Sequence, residues 1–243
     1  HSMKDLSLDR PYEIALAAVP KRELPHDVMF LSHECVRNIL SHQAIRPFRI
    51  GTSAPRRLEN IPIFLKKIFP HAAFEFQEIR GNINTRLAKI SQGTLDGVVL
   101  ALAGVNRLYL DYVFGGCEEL ELLLKNTHSM VLPLSEVPGA PSQGILSVEC
   151  RAQDHKIMTI LKKLNCVQSA DAAQKERAIL REFGGGCHQR FGATLVQDGR
   201  YGEILFAKGK TGDNALDREE WSGLNSLLEI LKNEKNIYLN LIH

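Results

Sequence analysis

From Phe48 onward the apolar positions switch between period two and period 3.6, strand then helix, the mark of a parallel sheet covered by helices. Phe48-Arg49-Ile50-Gly51-Thr52 predicts a short strand, with Ser53 as N-cap and Pro55 as an early helical proline opening a helix to about Ile68. Phe74 to Ile79 predicts a second strand by its aromatic alternation, and Asn84 or Thr85 starts a helix that Gly93 closes. Asp96 to Leu102 predicts a third strand, apolar enough to be buried on both faces.

The stretch from Gly115 to Pro141 mixes Gly, Pro, Ser and charge, and reads as a crossing between domains. Ile145 to Cys150 resumes as a strand, and Ala170 to Phe183 has helical spacing that Gly184-Gly185-Gly186 ends abruptly. Candidate strands at Ala193 to Gln197, Tyr201 to Lys208 and Ile237 to Leu241, with a helix near Trp221 to Lys232, predict a small α+β unit. On the predicted helix Asp171, Glu176 and Glu182 read as solvated charges.

Length and composition change this picture little: 243 residues suffice for up to three small domains, and 44% hydrophobic with 24% charged residues is the balance of a chain that folds. A net charge of +2 gives no general case for nucleic acid or membrane, so any positive site is built locally. The longest apolar run, Val98 to Val105, is too short to span a bilayer. Five widely spaced cysteines without a CxxC pair point to neither a disulfide framework nor a metal site, and fit a reducing cytoplasm.

The arginines change it most. Arg56 and Arg57 fall in the first turn after one strand, Arg80 ends the next, and Arg107 follows the third. In an open α/β sheet these are the carboxyl ends of strands, where ligands bind. Arginine beside a helix N-terminus opposes the helix dipole, a conflict that a bound carboxylate or phosphate removes. The bland reading of Arg56, Arg57 or Arg86 is a solvated helix charge. Cys187, just past three glycines, sits where the backbone is open to close approach by a large group, although a free cysteine is more often buried and inert. Lys4-Asp5 by itself is an ordinary surface pair.

Taken together, His1-Ser2-Met3-Lys4-Asp5, Gly51-Thr52-Ser53 with Arg56-Arg57, Arg80-Gly81-Asn82 with Thr85-Arg86, Gln143-Gly144 with Glu149-Cys150-Arg151, and Gly185-Gly186-Cys187 resemble hydroxymethylbilane synthase (porphobilinogen deaminase) in order and spacing. The resemblance implies an α/β fold: a periplasmic-binding-protein-like (type II) pair of doubly wound domains plus a small α+β C-terminal domain. It divides the chain into a first domain of residues 1–29 and 128–164, a second of 30–127 and a cofactor-attachment domain of 165–243. It implies a cytoplasmic transferase, expected to be a monomer, that adds four porphobilinogen molecules, with loss of ammonia, to a dipyrromethane cofactor bound covalently to Cys187. Ser2, Lys4, Asp5, Ser53, Arg56, Arg57, Arg80 and Gly81 are the implied cofactor contacts, and Arg80, Arg86 and Arg107 the implied substrate contacts. Asp5 is the implied catalytic carboxylate, serving pyrrole nitrogens and the cation formed as ammonia leaves.

Two departures accompany the resemblance. The family's chains begin well before the His-Ser-Met-Lys-Asp string, so the first domain is expected to be incomplete at its amino end. Arg190 stands where proline is usual, and Pro141-Ser142 where Val-Gly is usual. The competing readings are a non-catalytic, two-lobed carboxylate- or phosphate-binding module, which has no use for Cys187 or Asp5, and an inactive fragment of the synthase.

Overall fold

The computed structural model describes residues 1–113, 118–184, 189–199 and 202–222. Strands β2 (Asp27–Ser32), β3 (Phe48–Gly51), β4 (Phe74–Gln77), β5 (Gly97–Ala101) and β6 (Thr127–Val131) form a sheet ordered β4-β3-β5-β2-β6. β3 is parallel to β4 and β5, while β2 runs antiparallel to both β5 and β6. β5 is central and carries apolar residues toward both faces, so helices must cover both. Helices α1 (His33–Leu40) and α2 (Pro55–Ile68) cover one face, packing Cys35, Ile39, Ile61 and Leu65 on Met29, Ile50 and Val99. Helices α3 (Ile83–Ser91), α4 (Leu102–Val113) and α5 (Glu118–Lys125) cover the other, with Leu87, Ile90 and Leu120 on Val28, Phe30 and Val98. The period-two alternation along β2 therefore feeds two cores at once.

The expected crossing at 115–141 is corrected here. It contains α5 and β6, because Leu120 and Leu123 complete the second core and β6 pairs along β2 through Val28↔Val131 to Ser32↔Thr127. Ser53 is not the N-cap of α2. Ala54 holds that place and the Ser53 hydroxyl donates to the Ile79 carbonyl at 2.9 Å, tying the start of α2 to the end of the next strand segment. The cap of α3 is Asn82, whose side chain accepts from the Thr85 N–H.

A smaller unit is built on β1 (Ile14–Ala18), antiparallel to β7 (Val148–Arg151), with α6 (His155–Leu161) beside it. The strand expected from Ile145 starts at Val148, and Leu146 makes only an isolated bridge to Ser2. Where two doubly wound sheets were expected, the described residues hold one, together with this two-stranded pair. The amino-terminal turn Met3–Asp5 is anchored by Met3, buried among Val19, Ile145 and Ala173, and by the Met3 N–H donating to the Ile145 carbonyl at 2.9 Å.

The third unit is α+β, as expected: α7 (Val167–Glu182) packs on a meander of β8 (Arg190–Asp198), β9 (Gly202–Thr211) and β10 (Asn214–Trp221). Trp221, expected to open a helix, instead ends β10 opposite Ile204. The remainder of that helix and the strand at 237–241 lie outside the described residues. Glu176 is fully buried, correcting its reading as a solvated charge, because it shares the inward stripe of α7 with Ala172, Ala173, Ile179 and Leu180. Where β8 meets the loop before Gly144, a Cβ on Gly192 would lie 2.2 Å from the Pro138 carbonyl, so only glycine allows this approach.

Candidate functional site: an arginine-walled cleft at the junction of three units

The carboxyl ends of β3 and β4 open on a cleft of about 510 Å³. Lys4 and Asp5 line it from the amino-terminal turn, Ser53, Arg56 and Arg57 from the start of α2, and Arg80 and Arg86 from the turn after β4 and from α3. The third unit closes it with Leu180, Gln189 and Phe191. Local structure sets these positions. Arg177 of α7, itself buried, donates to the Met3, Leu6 and Ser7 carbonyls and so fixes the turn that carries Lys4 and Asp5. Gly81, at φ +109°, makes the reversal between Arg80 and the Asn82 cap, and its carbonyl accepts from Arg86 Nε at 2.8 Å.

Electrostatically the wall has two parts. Arg56 and Arg57 are each 5% exposed and share one carboxylate, Asp27, which is fully buried at the start of β2. Asp27 Oδ2 accepts from Arg56 Nη1 at 2.6 Å and Arg57 Nε at 3.0 Å, and Oδ1 accepts from Arg57 Nη2 at 2.8 Å and Arg56 Nη2 at 3.1 Å. Gln143 Nε2 adds a fifth donor at 2.9 Å. Burial by itself pushes the Asp27 carboxyl upward, but the two guanidinium groups outweigh it and hold the group well below the usual carboxylate range.

Lys4, Arg80 and Arg86 are different. Lys4 is half-buried and among the described residues has no ion pair or hydrogen bond from its ammonium group; burial, then Arg57 and Arg56, bring its pKa down to about 8. Arg80 is exposed and pairs with Glu78, and Arg86 spends Nε on Gly81 while burial and Arg57 lower its pKa. A half-buried cation held beside two arginines is a cost that an anion in the cleft would offset. The donor set therefore fits a ligand with several carboxylates, as a dipyrromethane bears.

The structure brings together Lys4, Asp5, Ser53, Arg56, Arg57, Arg80 and Arg86 out of the residues the resemblance implied. Ser2 does not reach the cleft: it is held in the bridge to Leu146, and its carbonyl accepts from the Asp5 N–H. Gly81 supports the wall through its backbone. Arg107 is not in the cleft either, being exposed one turn into α4 with Nε donating back to Ala103. The cause is that β5 runs directly into α4, so the position after the third strand is turned along a helix. Cys187 lies outside the described residues; Gln189, two positions on, lines the cleft and donates to the Phe183 carbonyl at the end of α7. Asp27 is the residue that the arginine pattern did not point to. Its signal is a carboxylate heading the apolar run Val28-Met29-Phe30-Leu31, which demands a buried partner.

Residues 1–159 match the family described as porphobilinogen deaminase, dipyromethane cofactor binding domain. The chain belongs to the porphobilinogen deaminase family. It is 36% identical over 199 residues to a porphobilinogen deaminase of Nostoc sp., an alignment covering 82% of this chain and 55% of that one. It is 33% identical over 216 residues to porphobilinogen deaminase 1 of Streptomyces avermitilis, covering 87% and 61%. A probable porphobilinogen deaminase of Methanocaldococcus jannaschii is 34% identical over 198 residues, covering 82% and 59%. The chain thus spans little more than half the length of these relatives. The family match covers Lys4, Asp5 and all four arginines of the cleft wall.

Proposed function

We propose that the chain carries the working cleft of a hydroxymethylbilane synthase, which joins four porphobilinogen molecules head to tail, with release of ammonia, in tetrapyrrole synthesis. The observation that carries this reading is that Lys4, which has no ion pair among the described residues, lines one cleft with Arg80 and Arg86, and that Gln189 and Phe191, just after Cys187 in the chain, line it too. Each pyrrole of the substrate bears two carboxylates, and the wall offers Lys4, Arg57, Arg80 and Arg86 to receive them. The dipyrromethane, when bound through Cys187, supplies the pyrrole carbon to which the first substrate unit is joined.

Asp5 lines the same cleft and has its carboxylate exposed. In this reading it accepts the pyrrole N–H and stabilises the positive charge that develops as ammonia departs. Ser53 keeps the mouth of α2 closed against Ile79 and presents its oxygen to the cleft. We infer also that residues 30–127 act as one lobe, 1–29 with 128–164 as the other in a type II binding-protein arrangement, and 165–243 as the attachment domain. β2 and β6, which carry the chain into and out of the five-stranded sheet, support that division. The working protein is read as a cytoplasmic monomer that needs neither nucleic acid nor membrane; among the described residues no helix is long and apolar enough to cross one.

Intact-protein mass tests this reading. Purified protein that turns over porphobilinogen should exceed its polypeptide mass by one dipyrromethane and colour with Ehrlich's reagent, and Cys187→Ser should do neither. A bare mass in active protein would sink it. Asp5→Asn should keep the added mass and lose ~10²–10³ of the single-turnover rate.

A further inference from the structure

Arg56 and Arg57 line the same cleft but have unequal capacity left for a ligand. Arg56 directs Nη1 to Asp27 and the Pro138 carbonyl and Nη2 to Asp27 and Gln143 Oε1, so among the described residues four of its five N–H groups are spent and Nε–H is left. Arg57 directs Nε and Nη2 to Asp27 and Nη1 to the Val99 carbonyl at 2.9 Å, leaving one N–H on each terminal nitrogen. One carboxylate therefore divides the pair into a scaffold arginine and a donor arginine. It also lowers their joint charge from two to one, at zero exposure, where solvent screens little.

We infer that Asp27 is the positioning residue of the anion site: it consumes Arg56 as structure, aims Arg57 at the ligand, and tempers the grip of the pair on a carboxylate. The inference rests on the cleft binding carboxylates, as proposed above. Three segments meet at this carboxylate: Asp27 starts β2, the arginines start α2, and Pro138 and Gln143 belong to the loop that returns from β6. Gln143 is fully buried and bridges the arrangement, accepting from Arg56 while donating to Asp27 and to the Pro25 carbonyl. A site that must hold a polycarboxylate chain and then let it move on needs firm geometry with moderate charge. A bare arginine pair would have the charge without the restraint.

The sign of the effect separates this role from a merely structural one. Asp27→Asn keeps the volume and some of the hydrogen bonds but removes the charge that offsets the arginines. Citrate, used as a carboxylate probe and titrated into the purified full chain by calorimetry, should bind roughly tenfold tighter, with a steeper loss of affinity on adding salt. The Asp27 charge also supports protonation of Lys4, so amine labelling of Lys4 should move to lower pH in the variant. In protein that makes hydroxymethylbilane, KM and kcat should fall together. Asp27→Glu restores the charge and should return both citrate affinity and the Lys4 profile to within about twofold of wild type.

Unchanged or weaker citrate binding in folded Asp27→Asn, with Lys4 labelling unmoved, overturns the inference. If that variant fails to fold, tighter binding by Asp27→Glu does the same, since the charge is then present and should temper the grip. Wild-type protein that binds no citrate removes the anion site altogether, whereas absence of ammonia release with citrate binding intact rejects the synthase reading alone.

Discussion

Arg22 and Glu176 form a bidentate ion pair between the segment after β1 and helix α7, with Nη1–Oε1 at 2.6 Å and Nη2–Oε2 at 3.2 Å. The Glu176 carboxylate also accepts the Ser142 and Leu195 N–H groups, both at 2.6 Å, and its side chain is wholly buried. Four N–H donors on a fully buried carboxylate make the pair costly to break. Arg22→Ala should destabilise the protein by about 3–5 kcal/mol, because it leaves a buried carboxylate without its counter-charge. Urea unfolding of the two proteins at pH 7 measures this, and a difference below about 1 kcal/mol would show that the carboxylate finds other compensation.

Ser142 lies beside this pair at φ +68°, fully buried, with its hydroxyl unpartnered among the described residues. Left-handed backbone costs a non-glycine residue roughly 1–2 kcal/mol, and a buried unpaired hydroxyl adds to that. The extra freedom of glycine in the unfolded chain offsets about half. Ser142→Gly should therefore stabilise by about 1 kcal/mol and raise Tm by roughly 2–4 °C. A lower Tm would mean that the hydroxyl is satisfied in solution.

Lys4 titrates at about 8, below its ordinary value, mainly because it is buried and then because Arg57 and Arg56 repel its charge. Its folded pKa is below its unfolded one, so its charged form opposes folding at neutral pH, and that opposition is relieved as pH rises from about 8 toward the unfolded value near 10.4. Lys4→Met should accordingly be more stable than wild type at pH 7 and lose that advantage in alkali, while binding citrate more weakly. Wild-type citrate affinity should decline between about pH 7 and 9 as Lys4 loses its proton. A flat profile across that range would exclude Lys4 from the anion site.

Asp96 accepts from both terminal nitrogens of Arg46 at 2.7 and 2.9 Å and from the Arg49 N–H at 2.8 Å. Burial raises its pKa, but the hydrogen bonds from Arg46 and Arg49 outweigh that and set it well below the usual carboxylate range. Being depressed, it contributes stability that is complete above its unfolded pKa near 3.9 and is lost as pH falls below that value. The stability gap between wild type and Asp96→Asn should be open at pH 7 and narrow from about pH 4 downward. Equal gaps at pH 6 and pH 2.5, by denaturant titration, would contradict this.

Much of the unit built on the five-stranded sheet was legible because its signals are local. The alternation in Phe48 to Gly51, the apolar run of β5 and the helical stripe of α2 each encode which side faces inward, and the structure places them as the periods require. Strand-end arginines followed from the same local reading, which is why Arg56, Arg57, Arg80 and Arg86 do meet in one cleft. Arg107 failed the rule because the turn after β5 is absent, and a strand that passes directly into a helix leaves no trace in periodicity.

What the tertiary structure decided is which charges face a ligand and which face each other. Asp27 and Arg56 stand 29 residues apart, and Arg56 and Gln143 stand 87 apart. The apolar run after Asp27 asks for a partner, but nothing local says which residues supply it. Glu176 likewise stands on the inward stripe of α7, but the cation that pairs with it there, Arg22, comes from 154 residues away. Hydrophobic periodicity is a property of consecutive residues, so the chain states it outright. The pairing of buried charges depends on desolvation, which exists only once separate segments have closed around them.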